Sequence, residues 1–311
     1  MRIVRFLANN RQSFGVLVNE SEVLDLPLSA YKLSGSSGRW ETLSLNWLSD
    51  SDTLRFLQAG DEALKAAAEI VDYFRSDPQD SAFEGGLLRL GELKLLAPVA
   101  RPGSMICLGL NYADHAAEQG LAPPEKPLLF AKLSTSVIGP DDAIVLPKVS
   151  EQVDYEVELA VVIGKRAKFV SESEAYDYVA GYTICNDVSA RDLQFSDGQW
   201  MRGKSCDTFA PLGPYLVTKD DVPDPHALRI SLTLNGETMQ DSTTGQMIFK
   251  VPYIVSYISQ AITLEPGDII STGTPPGVGV FRKPPVFLKP GDKIEATVER
   301  IGTLRNHVVA V

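Results

Sequence analysis

The chain has 311 residues, of which 44% are hydrophobic, so it can bury a large core and exceeds the size at which single cores usually stop growing. Its formal net charge of -11 argues against a general affinity for nucleic acid or anionic membranes, because both attract basic surfaces. Small molecules, metal cations and other protein subunits are therefore the expected partners.

The cysteines and the first residues bear on the cellular compartment. Cys107, Cys185 and Cys206 are an odd number without close metal-type spacing, so they indicate neither a disulfide framework nor a zinc site. The first residues, MRIVRFLANNRQSF, lack the apolar stretch of a signal peptide, and no segment approaches the roughly 18 apolar residues of a membrane span. These features predict a protein of the reducing cytoplasm.

The predicted elements change in character along the chain. Residues 1–27 alternate apolar and polar side chains, which predicts a small antiparallel meander. Residues 40–74 have apolar side chains at three- and four-residue spacing, which predicts two short helices. From residue 98 onward, short apolar segments alternate with Gly and Pro turns and predict many strands. We therefore expect an α+β, mainly β fold, with a small N-terminal α+β domain over 1–95 and a larger domain over 96–311.

Carboxylates occupy every second position at the start of DYEVELAVVIG, residues 154–164. In a strand, Asp154, Glu156 and Glu158 share one face, and the apolar residues after them enter a core. One interpretation is a solvated sheet face. The other is a site for Mg²⁺, Mn²⁺ or Ca²⁺, because adjacent like charges destabilise a partly buried surface unless a cation lies between them. Asp187, which follows the apolar segment GYTICN, is the candidate third ligand or else a turn or helix cap.

Three other segments contain candidate reactive or binding groups. His115 and Glu118 are three residues apart, so on a helical turn they form either a general base with its orienting carboxylate or an ordinary surface pair. Lys204, in RGKSCD, is either exposed or anion-binding. The segment STGTPPGVG, residues 271–279, is either a tight turn or a loop that presents backbone N–H groups and Thr274 to an anion.

Taken together, six segments resemble the fumarylacetoacetate hydrolase superfamily, in the same order, over about residues 98–307. They are LGLNYADHAAE, PLLFAKLSTSVIGP, VDYEVELAVVIG, AGYTICNDVSARDLQ, RGKSCDTFAPLGP and ISTGTPPGVG. The resemblance implies a catalytic β-sandwich roll over 96–311 that binds Mg²⁺ or Mn²⁺ through Glu156, Glu158 and Asp187, with Asp154 as a neighbour. It also implies a homodimer that acts on a small-molecule 2-oxo acid.

The same resemblance implies roles for the remaining polar residues. His115 and Glu118 would activate water or move a proton, and Lys204 would steady an enolate. The residues that would line the substrate pocket are Tyr112, Arg191, Gln194 and Thr274.

Two features resemble the shorter branch of this superfamily, which contains acylpyruvases, oxaloacetate decarboxylases and hydroxyhepta-dienedioate isomerases. CLGL stands where fumarylacetoacetases have a further metal-site aspartate, and the carboxylate partner of His115 is the nearby Glu118. We therefore expect a metal-dependent hydrolase that cleaves a C–C bond of a 2,4-dioxo acid through an enolate. The alternatives are isomerisation or decarboxylation in the same site and, from a different class, a non-catalytic metal-binding scaffold.

Overall fold

The computed structural model describes residues 1–35 and 53–311. The N-terminal meander is confirmed, with strands β1 (Arg2–Ala8), β2 (Arg11–Leu17) and β3 (Glu22–Asp25) paired antiparallel. Asn9 and Asn10 join the first two strands with φ of 49° and 60°, the left-handed conformation that tight two-residue hairpins require.

Three helices pack on this meander: α1 (Leu26–Ser34), α2 (Thr53–Gln58) and α3 (Gly60–Ser76). Asp25 caps α1 by accepting a hydrogen bond from the Leu28 N–H. The helix α3 is amphipathic and buries the small and apolar side chains at three- and four-residue spacing. The prediction of two short helices over residues 40–74 is confirmed from residue 53 onward, and its first part lies outside the described residues.

The rest of the chain consists of short strands and four further helices within the described residues. The strands before the first helix of this part are β4 (Leu87–Arg89), β5 (Lys94–Leu96) and β6 (Met105–Gly109), and α4 (Ala113–Glu118) follows. The next elements are β7 (Leu128–Lys132), β8 (Val137–Ile138), β9 (Ala143–Leu146), β10 (Val153–Asp154), β11 (Val157–Ile163), β12 (Val179–Asn186), β13 (Ser189–Ala190), α5 (Arg191–Ser196) and α6 (Met201–Lys204). The last are β14 (Ala210–Thr218), β15 (Arg229–Leu234), β16 (Glu237–Thr243), α7 (Val251–Ala261), β17 (Ile269–Ser271), β18 (Lys293–Val298) and β19 (Gly302–Ala310).

These strands form two large, mostly antiparallel sheets. The first has the order β4-β3-β2-β1-β14-β12-β11-β17-β6-β7, with β5 also paired to β1 and β8 to β14. The second has the order β16-β15-β18-β19-β9, and the short strands β10 and β13 pair separately. The parallel pairs are β17 with β6, β14 with β8 and β19 with β9. The prediction of an α+β, mainly β fold is confirmed.

The strand β11 lies at the centre of the first sheet and is buried on both faces. Val157, Leu159 and Val161 contribute to the core between the two sheets. Ala160 and Val162 point the other way, into the core shared with the N-terminal helices. Burial on both faces explains why the sequence VELAVVI reads as an apolar run rather than an alternating one.

The N-terminal segment and the later residues share both a sheet and a core. The strand β1 pairs directly with β14, with Ile3 opposite Leu216. Phe14 and Ile70 belong to the same apolar cluster as Met105. The division of the chain at residue 95 into two domains therefore stays a proposal. Among residues 1–35 and 53–311, no helix combines the length and the hydropathy that a membrane span needs.

Candidate active site

Three buried carboxylates meet where β11 begins and β12 ends. Glu158 is in β11, Glu156 precedes that strand and Asp187 follows β12. Because the two strands are antiparallel, with Val157 opposite Asn186, these positions are adjacent. One carboxylate oxygen of each residue lies within 4.8 Å of those of the other two. The exposed fractions are 6% for Glu156, 1% for Glu158 and 0% for Asp187, so a solvated sheet face is ruled out.

The carboxylate of Glu158 is held by the segment that ends β17 and follows it. Its Oε2 accepts hydrogen bonds from the Ser271 hydroxyl at 2.6 Å and from the Gly273 N–H at 2.9 Å. Burial, together with the charges of Asp187 and Glu156, raises the pKa of Glu158 well above its usual range. Of the three carboxylates, Glu158 is therefore the one whose ionised form most needs a nearby positive charge.

The other two carboxylates share a lysine. Lys204 Nζ donates to Glu156 Oε2 and to Asp187 Oδ2, at 2.7 Å each. Lys132, at the end of β7, donates to Asp187 Oδ1 at 2.6 Å and to the Val188 carbonyl at 3.1 Å. Both lysines are buried. Burial alone would lower the pKa of Lys204. The negative charges of Asp187 and Glu156 outweigh the effect of burial and raise this pKa above its usual value. The interpretation of Lys204 as an exposed lysine is wrong.

Arg191 connects the carboxylate cluster to the loop after β17. Its Nη2 donates to Glu156 Oε1 at 2.6 Å and its Nε to Asp154 Oδ2 at 2.8 Å. Asp154 also accepts hydrogen bonds from the N–H groups of Gly279 and Val280, at 2.7 and 3.0 Å. Burial disfavours the ionised form of Glu156, but the charges of Arg191 and Lys204 outweigh burial and hold its pKa below the usual range. Asp154 is therefore a neighbour that organises the site, as expected.

The charges of this buried cluster do not balance. Its carboxylates are those of Asp154, Glu156, Glu158 and Asp187, and its cationic side chains are Lys132, Arg191 and Lys204. If all of them are ionised, one negative charge is left without a cationic partner, and the raised pKa of Glu158 means that a proton on this carboxyl balances the cluster unless a further cation is bound. A buried charge without a partner is strongly destabilising. The cluster therefore fits one additional cation, and its oxygen donors are the ligands that Mg²⁺ and Mn²⁺ prefer.

His115 and Glu118 lie on α4 and contact each other. His115 Nδ1 is 2.9 Å from Glu118 Oε2, and His115 Nε2 is 2.9 Å from the side-chain amide nitrogen of Gln119. Because a carboxylate only accepts hydrogen bonds, this pattern assigns the proton of the neutral ring to Nδ1 and makes Nε2 the acceptor. The imidazole is buried. His115 and Glu118 therefore form a buried pair beside the carboxylates rather than a surface pair, and the role of His115 as a base stays a prediction.

The helix α4 is attached to two other parts of the structure. Asp114 accepts a hydrogen bond from the Ser242 hydroxyl in β16. Glu118 Oε1 accepts one from the Gly277 N–H at 3.0 Å. Gly277 has φ of 101°, and a Cβ atom there would lie 2.0 Å from the Met239 carbonyl oxygen, so only glycine fits. The segment STGTPPGVG thus provides backbone N–H groups to Glu118, Asp154 and Glu158.

The expected substrate-lining residues differ in what they contact. Arg191, Gln194 and Thr274 line the same cavity as His115, Glu156 and Glu158. The Thr274 hydroxyl donates to the Val157 carbonyl at 2.9 Å and accepts from Gln240 at 2.8 Å, so it is already paired. Gln194 accepts from Arg191 Nη1 at 3.0 Å, which leaves its amide nitrogen to donate.

Tyr112 is placed differently from that expectation. It is fully buried between the sheets and is not among the described residues that line the cavity. Its hydroxyl has no hydrogen-bond partner among residues 1–35 and 53–311. Burial and the charge of Glu158 raise the pKa of this hydroxyl well above its ordinary value. Direct contact of Tyr112 with substrate remains a prediction that the cavity lining does not favour.

A cavity of about 340 Å³ joins these groups. Its polar end contains Glu156, Glu158, Lys204 and His115. Its other walls are mostly apolar and include Phe130, Leu128, Phe195, Trp200 and Phe281. A size of this order is typical of small-molecule sites.

Sequence reasoning missed several residues of this site. Lys132 stands at the end of the apolar segment PLLFAK, and a lysine that closes an apolar strand was the available signal. Gln119 directly follows Glu118 and binds the histidine, but a glutamine at that position has no distinctive pattern. Ser189, two residues after Asp187, is a residue type that often caps a helix. Instead it lies in β13, and its hydroxyl donates to the Asp187 carbonyl at 2.8 Å.

The sequence of residues 104–309 matches the family model described as fumarylacetoacetate (FAA) hydrolase C-terminal. This match spans well over half of the chain. The chain belongs to the fumarylacetoacetate hydrolase family. The resemblance inferred from the six motifs is confirmed.

Individual relatives add detail on activity. A rat protein named oxaloacetate tautomerase Fahd2a, mitochondrial, is 49% identical over 257 residues, which cover 82% of this chain and 79% of the rat protein. A fumarylacetoacetate hydrolase from Exiguobacterium antarcticum is 35% identical with a TM-score of 0.81, over all of both chains. A 2-hydroxyhepta-2,4-diene-1,7-dioate isomerase from Mycobacterium marinum is 33% identical with a TM-score of 0.73, and covers 100% of this chain and 98% of its own.

These similarities show that the protein is an enzyme of this family, so the non-catalytic scaffold is not supported. The names favour the isomerase alternative over the C–C hydrolase that we placed first. The rat protein carries the word mitochondrial in its name. For this chain the cytoplasm remains a prediction from its cysteines, which are all free.

Proposed function

We propose that this enzyme interconverts the enol and keto forms of a 2-oxo acid in the cavity between α4 and the carboxylate cluster. The observation that carries the proposal is the position of His115. The Glu118 contact at Nδ1 makes Nε2 the acceptor of the neutral imidazole, and the same cavity contains Glu156, Glu158 and Lys204. An oriented base beside a cation-binding cluster is the arrangement that proton transfer next to a carbonyl group requires.

Glu156, Glu158 and Asp187 would hold a Mg²⁺ or Mn²⁺ ion. Their fit rests on three buried oxygen donors and on the negative charge that Lys132, Lys204 and Arg191 leave without a partner. When bound, such an ion acts as a Lewis acid toward a carbonyl oxygen that is becoming an enolate. The chain's own residues then determine where the proton goes.

The protein side chains have separate tasks in this reaction. His115 Nε2 takes the enol hydroxyl proton or exchanges a proton at C3 of the substrate, after Gln119 gives up its hydrogen bond. Glu118 keeps the proton on Nδ1 and stabilises the imidazolium that forms. Lys204 and the amide nitrogen of Gln194 supply donors to the oxygens of the 2-oxo acid. The apolar residue Phe281, whose ring centre is 6.0 Å from that of His115, keeps bulk water from the base.

Tautomerisation is favoured over C–C hydrolysis for a chemical reason as well as by the names of the relatives. Hydrolysis requires a water molecule placed between the base and a second carbonyl carbon. Tautomerisation requires only one base and a stabilised enolate. The proposal assigns the first task to His115 and the second to the carboxylate cluster with Lys204, and the cavity walls beside His115 are apolar, which supports it. Hydrolysis of an acylpyruvate and decarboxylation of oxaloacetate remain the competing activities of the same cavity.

The test is to follow the decay of enol absorbance when enol oxaloacetate is mixed with the enzyme and Mg²⁺ or Mn²⁺. We expect the enol form to disappear faster than in buffer, with the keto form of oxaloacetate as the only product. Parallel reactions with an acylpyruvate and analysis for pyruvate measure hydrolysis and decarboxylation. If acylpyruvate is cleaved while enol oxaloacetate decays at the buffer rate, the enzyme is a hydrolase and the proposal is wrong.

A further inference from the structure

We infer that the cavity selects 2-oxo acids whose group beyond the 2-oxo carbon is uncharged and apolar, up to the size of an aromatic ring, over dicarboxylates of similar length. This inference rests on the proposed function, since it specifies the substrate class of the same site. Three independent features of the walls support it: their exposed apolar side chains, the positions of their charges and the packing of their aromatic rings.

The mouth of the cavity exposes large apolar side chains to solvent. Leu121 is 50% exposed, Leu128 46%, Phe195 56% and Phe281 36%, and all four line this one cavity. Exposed apolar side chains normally occur singly, so their concentration around one opening indicates that an apolar group covers them when the site is filled. A substrate whose tail is charged would not bury these side chains, so it would not gain the free energy of covering apolar surface.

The cationic side chains that line the cavity are concentrated at its polar end. Among the described residues that line the cavity, the only arginine is Arg191 and the only lysine is Lys204. Both are bound to Glu156. Arg191 is held by Asp154 and Glu156, and Lys204 by Glu156 and Asp187, so neither cation is free to pair with a charged group against the apolar walls. A second carboxylate placed there would lose its hydration without gaining a charged partner, which is strongly unfavourable.

Aromatic side chains lie directly beside Lys204 at the polar end of the cavity. The ammonium of Lys204 lies 4.9 Å from the centre of the Phe130 ring, and that ring packs edge-on against Trp200 with centres 5.4 Å apart. Trp200 reaches this position because residue 109 is glycine: a Cβ atom there would lie 2.7 Å from the indole. A planar apolar group that extends from the polar end would therefore meet ring surfaces at once.

The proposed reaction on such a substrate is the same isomerisation. For enol phenylpyruvate, the hydroxyl on C2 loses its proton, the C2–C3 double bond becomes a single bond and C3 gains a proton. The keto acid is the only product, and no other reactant is consumed. The apolar ring stays against Phe130 and Trp200 while the carboxylate and the C2 oxygen remain at the polar end.

The first experiment compares kcat/KM for the enol forms of phenylpyruvate and oxaloacetate under identical Mg²⁺ concentrations. We expect phenylpyruvate to be preferred by about tenfold or more, the discrimination that a few apolar contacts provide. Equal values, or a preference for oxaloacetate, would overturn the inference and leave the proposed tautomerase function intact. Decay of both enols at the buffer rate would instead refute the proposed function.

A binding experiment separates the two claims further, because it needs no turnover. Benzoylformate and oxomalonate are 2-oxo acids without an enolisable hydrogen, the first with a phenyl group and the second with another carboxylate. Calorimetry on the full chain with Mg²⁺ should give a Kd for benzoylformate at least about tenfold lower than for oxomalonate. Tighter binding of oxomalonate would contradict the inference whatever the catalytic result.

Variants then locate the selectivity. Trp200→Ala should lower kcat/KM for enol phenylpyruvate by about 10- to 100-fold and reduce the preference over oxaloacetate, whereas Trp200→Phe should keep most of it. The matched control is Tyr31→Ala, since Tyr31 is an exposed aromatic residue of α1 far along the chain from the cavity lining. The inference fails if Trp200→Ala keeps the wild-type ratio of the two substrates while the protein remains folded by circular dichroism.

Discussion

His115 is hydrogen-bonded at both ring nitrogens by residues of its own helix turn, Glu118 and Gln119. The Glu118 contact assigns the proton to Nδ1, and the Gln119 amide occupies the lone pair of Nε2. A substrate must therefore displace the Gln119 amide before His115 can act as a base. This exchange leaves the imidazole satisfied in both states, so the cost of exposing an unpaired buried nitrogen is avoided.

The first prediction concerns this base. His115→Ala should lower enol-oxaloacetate tautomerisation by roughly 10²–10⁴-fold, the usual contribution of a general base, while Mg²⁺ affinity is retained. Glu118→Gln should cause a smaller loss, because it removes the orienting charge but not the base. Stopped-flow loss of enol absorbance measures both. His307→Ala, which changes an exposed histidine of β19, serves as the control. A loss of threefold or less in His115→Ala would contradict the assignment.

The second prediction concerns the carboxylates. Glu156→Gln and Asp187→Asn each remove a charged oxygen ligand from the cluster, so both should abolish measurable Mg²⁺ binding by calorimetry. Far-UV circular dichroism should still show a folded protein. Glu151→Gln is the matched control, because Glu151 is exposed and close in sequence. Unchanged Mg²⁺ affinity in both variants would refute the three-carboxylate site.

The third prediction separates cation binding from the chemistry. The Lys204 ammonium is bound to Glu156 and Asp187, two of the carboxylates that would hold a divalent ion, so Lys204→Met should bind Mg²⁺ about tenfold more tightly while tautomerisation falls. Without Mg²⁺ the variant should lose about 3–5 kcal/mol of stability, since two buried carboxylates lose their partner. Calorimetry and urea unfolding test these points, with the exposed Lys148→Met as control. Weaker Mg²⁺ binding would show that Lys204 does not compete with the ion.

At the scale of elements, α4 depends on its neighbours because it has only six residues. An isolated helix of that length is unstable in water. Two contacts hold it: Asp114 with Ser242 of β16, and Glu118 with the Gly277 N–H. The position of His115 relative to the carboxylates is therefore determined by β16 and the loop after β17.

The fourth prediction follows from this attachment. Ser242→Ala removes the hydrogen bond to Asp114 without changing the cavity lining, so kcat/KM for tautomerisation should fall about three- to tenfold, with about 1 kcal/mol lost from stability. Steady-state kinetics and urea unfolding measure the two effects. Ser173→Ala changes an exposed serine elsewhere and should leave both values unchanged. Wild-type kinetics in Ser242→Ala would show that the helix is held without this bond.

At the scale of the whole molecule, the first sheet ends at β7, a strand whose outer edge has no paired strand in the described residues. Leu133, which directly follows this strand and does not line the cavity, is about half exposed. Unpaired edges with apolar side chains are the places at which chains associate. Association of two copies would also agree with the homodimer that the family resemblance implies.

The fifth prediction is therefore that the protein is a homodimer in solution. Size-exclusion chromatography with light scattering at micromolar concentration should give twice the 33.8 kDa mass of one chain. The mass should be unchanged by 0.5 M salt, because burial of apolar surface rather than surface charge would hold the copies together. A mass of one chain at all accessible concentrations would refute the prediction.

The local sequence pattern was enough to predict many of the strands and the three carboxylates of the candidate site. The alternation of residues 1–27 and the apolar segments around Gly and Pro turns were sufficient for the strands, because period-two patterns and turn residues act over a few positions. Glu156, Glu158 and Asp187 were also identifiable, since the two glutamates alternate at the start of one apolar segment and the aspartate ends another, although the structure places Glu156 just before the strand rather than in it. These features depend on neighbours in sequence, and a sequence displays such neighbours directly.

Only the tertiary structure decided which distant side chains meet. Lys132 and Asp187 are 55 positions apart, and Lys204 and Glu156 are 48 apart, yet both pairs are in direct contact. The pairing register of β11 with β12 brings the carboxylates together, and the placement of β7 and α6 adds the lysines. The apolar cavity likewise forms from segments far apart in the chain. Such contacts arise from the packing of whole elements, and local periodicity carries no information about them.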